Sequence, residues 1–177
     1  MQKAPIMLVA ACLALALAGC AASNAASTAT ATASAPVYIH MNGRNDFLEP
    51  TVAVAPGEPV VFVNEDTGFH NVIGYHRSTG KLNPAINGDL AGTKGAGHPV
   101  ATYTVKLTKP GIYAYYCSVH AVLAKTYGAA VQPAHRPGVH GYPGAMAGEI
   151  VVTSDPSLVA QNPATTAKKI LAGYFGG

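Results

Sequence analysis

Charge is scarce in this chain. Lys and Arg number 11 and Asp and Glu 8 among 177 residues, giving a formal charge of +3, and no run of basic residues occurs. So weak and scattered a positive charge lacks the electrostatic footprint of a nucleic-acid binder. Trp is absent against nine Tyr, and Cys occurs three times, at Cys12, Cys20 and Cys117. No internal repeat is found, and helical periodicity is missing until the last few residues. There Ala167, Ile170, Leu171 and Tyr174 would share one face of a short helix. The one long apolar stretch, Ile6 to Ala18, is too short for a comfortable transmembrane helix.

That stretch belongs to "MQKAPIMLVAACLALALAGC", in which an early cation, Lys3, precedes the apolar run and small residues close it. The order is that of a secretory signal. Its end, "LAGC" (Leu17 to Cys20), resembles a bacterial lipoprotein signal, which implies a lipidated Cys20 as the new N-terminus. An ordinary signal cut nearby is the plainer alternative. Cleavage at Cys20 removes Lys3 and lowers the charge from +3 to +2. Residues 1–19 are thus expected to be signal, and 20–35 the lipidated cysteine and a tether. The tether, "AASNAASTATATASA", is small, polar and uncharged, and would span roughly 20 Å on average. The chain is then expected outside the cytoplasm, anchored by lipid to a bacterial membrane and facing the periplasm or cell exterior.

From Pro36 onward the pattern is strand-like. "VYIHM" (37–41) alternates, "TVAVAPGEPVVFVN" (51–64) gives two β-rich runs around a Pro-Gly turn, and "HNVI" (70–73) is a short run. "ATYTVKL" (101–107), "IYAYYC" (112–117) and "GEIVVT" (148–153) follow. Short strands separated by Gly, Pro and Asn turns predict an all-β sandwich over residues 36–155. Residues 156–177 form an extension expected to be helical. Two stretches are too long for tight turns: 74–99, and 121–145 with its three Pro, four Gly and two His. Both read as long loops, which in a compact domain are functional or disordered.

With Cys12 removed and Cys20 lipidated, Cys117 has no partner in the mature chain. An unpaired thiol in an oxidising compartment is buried and inert, pairs with another chain, or binds metal. Period-two alternation puts Tyr113, Tyr115 and Cys117 on one strand face. His120 lies in the turn beyond, where its ring can bend back toward the sulfur. Thiolate and imidazole suit copper or zinc, but two ligands make a poor site. The best-placed third is His70, which opens "HNVI" after the turn "NEDTG" and so sits at one end of the sandwich. Met146, just before the closing strand, could be a weak fourth. Thiolate, two imidazoles and a distant thioether form the electron-transfer copper geometry. His40 lies in a strand and reads as structural or exposed. A second metal site from His76, His98, His135 and His140 has no regular spacing behind it.

In order, "FLEPTVAVAPGEPVVFVNEDTGFHNV" (Phe47 to Val72), "KPGIYAYYCSVH" (Lys109 to His120) and "MAGEIVV" (Met146 to Val152) resemble the cupredoxins, the small blue copper proteins. The resemblance implies a Greek-key β-sandwich holding one type 1 copper. It implies His70, Cys117, His120 and Met146 as ligands, with Asn71 bracing the ligand loops through hydrogen bonds. The chain departs from the family in one respect: residues 121–145 separate the second histidine from the methionine, which usually follows closely. Gln132, or no axial ligand, is the alternative to Met146.

The function implied is a one-electron carrier between redox protein partners, with no small-molecule substrate and no enzymatic activity of its own. The rival is a copper protein for storage, delivery or resistance, which would need exchangeable metal and more Met and His in open clusters. The inserted segment carries Lys125 and Arg136 and no acidic residue. It is rooted beside His120, so it is expected to steer an acidic face of a partner.

Overall fold

The computed structural model describes residues 35–95, 97–128, 130–139, 144–163 and 165–167. The signal, Cys20, nearly all of the tether, His140 and the final residues Ile170, Leu171 and Tyr174 lie outside these.

The chain folds as two facing sheets. The smaller sets β1 (Val37–Met41) and β6 (Ala101–Lys106) on either side of β3 (Pro59–Asn64). β1 runs parallel to β3, with Val37 opposite Val60, and β6 runs antiparallel to it. The larger has the order β2 (Thr51–Val54), β10 (Ala147–Val152), β7 (Gly111–Tyr116), β4 (His70–Tyr75) and β5 (Leu82–Leu90). β2 and β10 are parallel, and the other pairings are antiparallel. Neighbours in space are mostly not neighbours in sequence, as the expected all-β sandwich requires.

Alternation decides which faces meet. Val52 and Val54, Val60 and Phe62, and Ile150 and Val152 are all buried, two residues apart on their strands. Burying each such side chain contributes roughly 1.5–3 kcal/mol relative to exposure. Tyr115 is fully buried between Phe47 and Phe62, with ring centroids 5.0 and 5.1 Å away and edge-on geometry. Its hydroxyl donates to the Pro50 carbonyl at 3.2 Å, so the polar tip is not stranded in the core. Cys117 and Met146 belong to this same buried cluster.

His40 breaks the alternation of β1. It is buried because its ring has partners: Glu49 Oε2 at 3.1 Å and the Thr166 carbonyl at 2.8 Å. It is a satisfied structural histidine, as its strand position suggests. The Thr166 contact also ties down the residues that follow the short helix α1 (Pro156–Val159). Tyr38 N donates to Thr165 Oγ1 at 3.0 Å. Asn162 takes both backbone groups of Ala53, accepting from its N–H at 2.7 Å and donating to its carbonyl at 2.5 Å. Of the extension expected to be helical over 156–177, only α1 is helical among the described residues, and 160–163 and 165–167 are turn and irregular chain. Ile170, Leu171 and Tyr174 of the expected helical face lie outside the described residues.

Both long segments expected as loops carry strands. Residues 74–99 contain β5, which pairs with β4 through a register shift between Ile73 and Gly74. Residues 121–145 contain a hairpin, β8 (Ala121–Tyr127) against β9 (Ala130–His135). Their Pro and Gly content suggested irregular chain. Pro133, however, sits in a two-stranded ribbon, where each strand has a free edge that tolerates a missing N–H.

Candidate metal centre

His70 is positioned by the turn before it. Asn64, fully buried at the end of β3, donates its amide to the carbonyls of Gly68, Leu90 and Ala91 at 2.9, 3.1 and 3.1 Å. Its Oδ1 accepts from Asp66 N at 3.0 Å. The chain after β5 presses against this turn so closely that a Cβ on Gly92 would lie 1.9 Å from the Thr67 carbonyl. Only glycine permits that approach. The cinched turn presents Asp66 Oδ2 to His70 Nε2 at 2.9 Å. With Nε2 occupied, Nδ1 is the nitrogen that faces Cys117 Sγ, at 3.8 Å.

Cys117 follows the last residue of β7. Its N–H donates to the Met146 carbonyl at 2.9 Å, fixing where the chain leaves the sheet. The N–H groups of His120 and Ala121 turn back to the Cys117 carbonyl at 3.2 and 2.9 Å. This closes a turn that brings His120 Nδ1 to 3.5 Å from the sulfur. The two imidazole rings lie 4.6 Å apart between centroids.

Asn71 joins the two halves. Its backbone N–H donates to Cys117 Sγ at 3.5 Å, its side-chain amide donates to Ser118 Oγ at 2.9 Å, and its Oδ1 accepts from Ser118 N at 2.8 Å. These are bracing bonds of the kind expected for Asn71.

The donor atoms of His70, Cys117 and His120 all lie within 4.8 Å of one another, with His70 and Cys117 buried and His120 half-buried. Metal–nitrogen and metal–sulfur bonds of about 2.0–2.3 Å, set in a trigonal His₂Cys plane, would separate nitrogen from sulfur by roughly 3.7 Å. The observed 3.8 and 3.5 Å lie close to that value, so the sulfur is spaced from each imidazole nitrogen as a shared copper ion requires. Met146 is fully buried, and its backbone carbonyl accepts from Cys117 N at 2.9 Å. Gln132 instead pairs with Ala124, three residues along β8 from Ala121, on the hairpin rather than in the core.

Electrostatics separate the two histidines. Burial opposes charge on His70, but the hydrogen bonds and charges of Asp66 and Cys117 outweigh it and push its pKa up to about 9. Burial and the neighbouring His70 charge pull His120 down to about 4. The His70 hydrogen bond, ahead of burial, holds the Asp66 carboxyl below its usual range. For Cys117 burial works upward, yet the His70 hydrogen bond, the N–H groups of Asn71 and Val119 and the His70 charge leave the thiol lowered.

Among the described residues, His70, Cys117 and His120 are the one group with metal-site geometry drawn from His, Cys, Asp and Glu. His76 lies in an exposed turn after β4, and His98 is exposed. His135 ends β9, with Nδ1 3.4 Å from the Gly144 carbonyl. Asp66 was not singled out from sequence; its signal is a carboxylate four residues before a candidate ligand, across a turn. Arg136 was expected to face a partner. Its guanidinium instead turns inward, with Nε and Nη2 donating to the Ser118 carbonyl at 3.0 and 2.7 Å.

Residues 37–127 match the family described as copper binding proteins, plastocyanin/azurin family. The plastocyanin of Prochlorothrix hollandica is 38% identical over 69 residues, covering 39% of this chain and 50% of that protein. The chloroplastic plastocyanin of Chlamydomonas reinhardtii is 35% identical over 81 residues, covering 45% of this chain and 53% of that one. The chain thus spans about half the length of the curated relatives it matches. Among solved structures, a purple cupredoxin from Nitrosopumilus maritimus aligns with a TM-score of 0.42 and 19% identity, over 66% of this chain and 99% of that one. The family match ends inside the hairpin, before Met146.

Proposed function

The chain belongs to the plastocyanin/azurin family of copper-binding proteins, and from that premise we propose that it carries single electrons between redox proteins, using one type 1 copper held by His70, Cys117 and His120 with Met146 as a weak axial donor. The observation that carries this reading is the spacing of the three donors, 3.5 and 3.8 Å about the sulfur, fixed by Asp66 and Asn71. Bound copper would supply a one-electron change between Cu(II) and Cu(I). The chain's own part is to keep the donor set rigid, so that little rearranges when the charge changes.

Each residue has a distinct task. Asp66 fixes the ring of His70 and strengthens its donor nitrogen. The Asn71 N–H stabilises negative charge on the Cys117 sulfur. His120, half-buried where its partners are buried, offers the route by which an electron leaves or enters. Burial of two of the three donors argues for retained rather than exchangeable metal, which favours a carrier over a delivery protein. No substrate pocket is invoked, and the protein acts without catalysis of its own.

Residues 1–19 act as a lipoprotein signal and 20–35 as lipidated cysteine and tether, holding the 36–155 domain outside the cytoplasm on a bacterial membrane. No helix among the described residues is long and apolar enough to cross a membrane. Docking on an acidic face of a partner rests on exposed Lys125, since Arg136 is engaged within the molecule.

The test is copper reconstitution followed by visible and electron paramagnetic resonance spectroscopy, on the wild type and on Cys117→Ser. A strong thiolate-to-copper band in the wild type, absent from the variant while the fold remains, is the expected result. A colourless wild-type protein, or a variant with the same band, overturns the assignment.

A further inference from the structure

The hairpin β8–β9 occupies the interval between His120 and Met146, and its last residues return to the ligand turn. Arg136, just past β9, takes three carbonyls of that turn and its exit. Its backbone N–H donates to His120 O at 3.1 Å. Its guanidinium donates to Ser118 O at 3.0 and 2.7 Å and reaches Ala121 O at 3.5 Å. Ser118 is thereby gripped from two sides, by Asn71 on its N–H and hydroxyl and by Arg136 on its carbonyl.

The hairpin has a foothold of its own. Val131 N donates to Arg77 O at 2.7 Å, and Arg77 is itself paired with Glu149 on β10. The side chain of Val131 sits over Gly80, where an added Cβ would approach Val131 Cγ1 to 3.1 Å at a φ of +72°. A ribbon docked at Val131 delivers its basic end to a fixed place.

We propose that Arg136 is a positioning residue of the metal centre: it clamps the Cys117–His120 turn and sets a fixed positive charge beside it, favouring Cu(I) over Cu(II). The inference rests on the copper assignment above. The planar guanidinium suits the clamp, since its fork can donate to one carbonyl twice and still reach another. The charge acts separately. Half-buried and hydrogen-bonded in place, it opposes the more positive oxidised state, so it raises the reduction potential.

Two variants separate clamp from charge. Arg136→Gln removes the charge and shortens the reach; Arg136→Lys keeps the charge but loses the fork. In the copper-free proteins, hydrogen exchange at the amides of His120 and Ala121 should quicken in both, because the turn they close loses its outer brace. In the copper-loaded proteins, Arg136→Gln should shift the Cu(II)/Cu(I) equilibrium roughly tenfold toward Cu(II), a fall of about 59 mV for one electron. Arg136→Lys should recover most of that shift. Lys106→Gln, an exposed cation on the smaller sheet, should change neither reading. Near-ultraviolet circular dichroism checks that each variant is folded. Unchanged exchange in Arg136→Gln, or a potential that fails to fall in it, overturns the proposal. A wild type without the thiolate band would instead sink the copper reading, while the copper-free exchange would still report on the clamp.

Discussion

Replacing Asp66 by Asn should raise the reduction potential while leaving the fold and the thiolate band in place. The substitution is nearly isosteric. Asn Oδ1 can still accept from His70 Nε2, now 2.9 Å from the carboxylate, and the amide nitrogen can donate toward Thr67 Oγ1, now 3.4 Å away. The charge is what disappears. A hydrogen bond to a charged group is worth about 1.5–3 kcal/mol net and a neutral one about 0.5–1.5 kcal/mol, so roughly 1–1.5 kcal/mol is at stake. The carboxylate helps the oxidised, more positive centre more than the reduced one, so its loss disfavours Cu(II). If the whole difference fell on the oxidised state, the shift would be about tenfold, or about 59 mV upward. Partial exposure of the Asp66 side chain, 10%, lowers this somewhat. Protein-film voltammetry of the wild type and variant at one pH and salt concentration measures it. A potential that falls, or that does not move while the spectrum stays intact, refutes the role given to the His70–Asp66 pair.

Four further outcomes are expected. With the His70 pKa at about 9 and that of His120 at about 4, copper loading at neutral pH should release at least about one proton, and affinity should climb with pH toward 9; calorimetry in buffers of different ionisation enthalpy would refute this by showing none released. In the copper-free chain the raised His70 value adds stability that is full below 6.5 and fades as pH rises through about 9, whereas the lowered Asp66 value adds stability above 3.8 that is lost in acid. The lowered His120 value adds stability that is present above 6.5 and lost as pH falls through about 4, so thermal melts should decline from pH 6.5 toward 4, and a melting temperature that holds or rises over that descent contradicts the assignment. Met146→Leu should keep copper bound and raise the potential, because a weak donor gives way to apolar bulk; an unmoved potential and spectrum mean Met146 is not axial. Cys20→Ala should free the protein from the membrane without altering the copper spectrum, and persistence in the salt-washed membrane fraction overturns the lipid anchor.

How much of this was legible in the sequence depends on how local the cause is. Alternation in "VYIHM" and "IYAYYC" is a property of a few adjacent residues, and it places Tyr115 and Cys117 in the core where they are found. His120 is reachable because the turn after Cys117 is three residues long and self-bonded. His70 could be paired with them because it opens a short run at a strand end, a position that the resemblance reinforced. The hairpin was not legible. Its Pro133 and Gly128 argue against strands taken one at a time, and only pairing of Val122 with Ala134 and Ala124 with Gln132 satisfies their backbones. Arg136 shows the same limit for side chains. A lone cation in a Pro-rich stretch reads as surface, and its inward direction is set by the Ser118 carbonyl, 18 residues earlier. Asp66 needed the turn to be known, since a carboxylate four residues from a histidine usually faces water.

The grip of Asn162 on Ala53 bears on how copies of this protein behave when crowded together. β1 and β2 are the outermost strands at one side of their sheets. An outermost strand offers unpaired backbone groups to any other strand that drifts past, which is how folded chains come to polymerise. One carboxamide, bonded to both the N–H and the carbonyl of Ala53, does locally what a whole neighbouring strand would do, and Thr165 does part of the same for Tyr38. The residues after the sandwich thus work as selvedge, a finished border that keeps the weave from joining the next cloth. A chain cut before Asn162 would keep every donor at the metal centre and both sheets, yet it would lose its reluctance to associate.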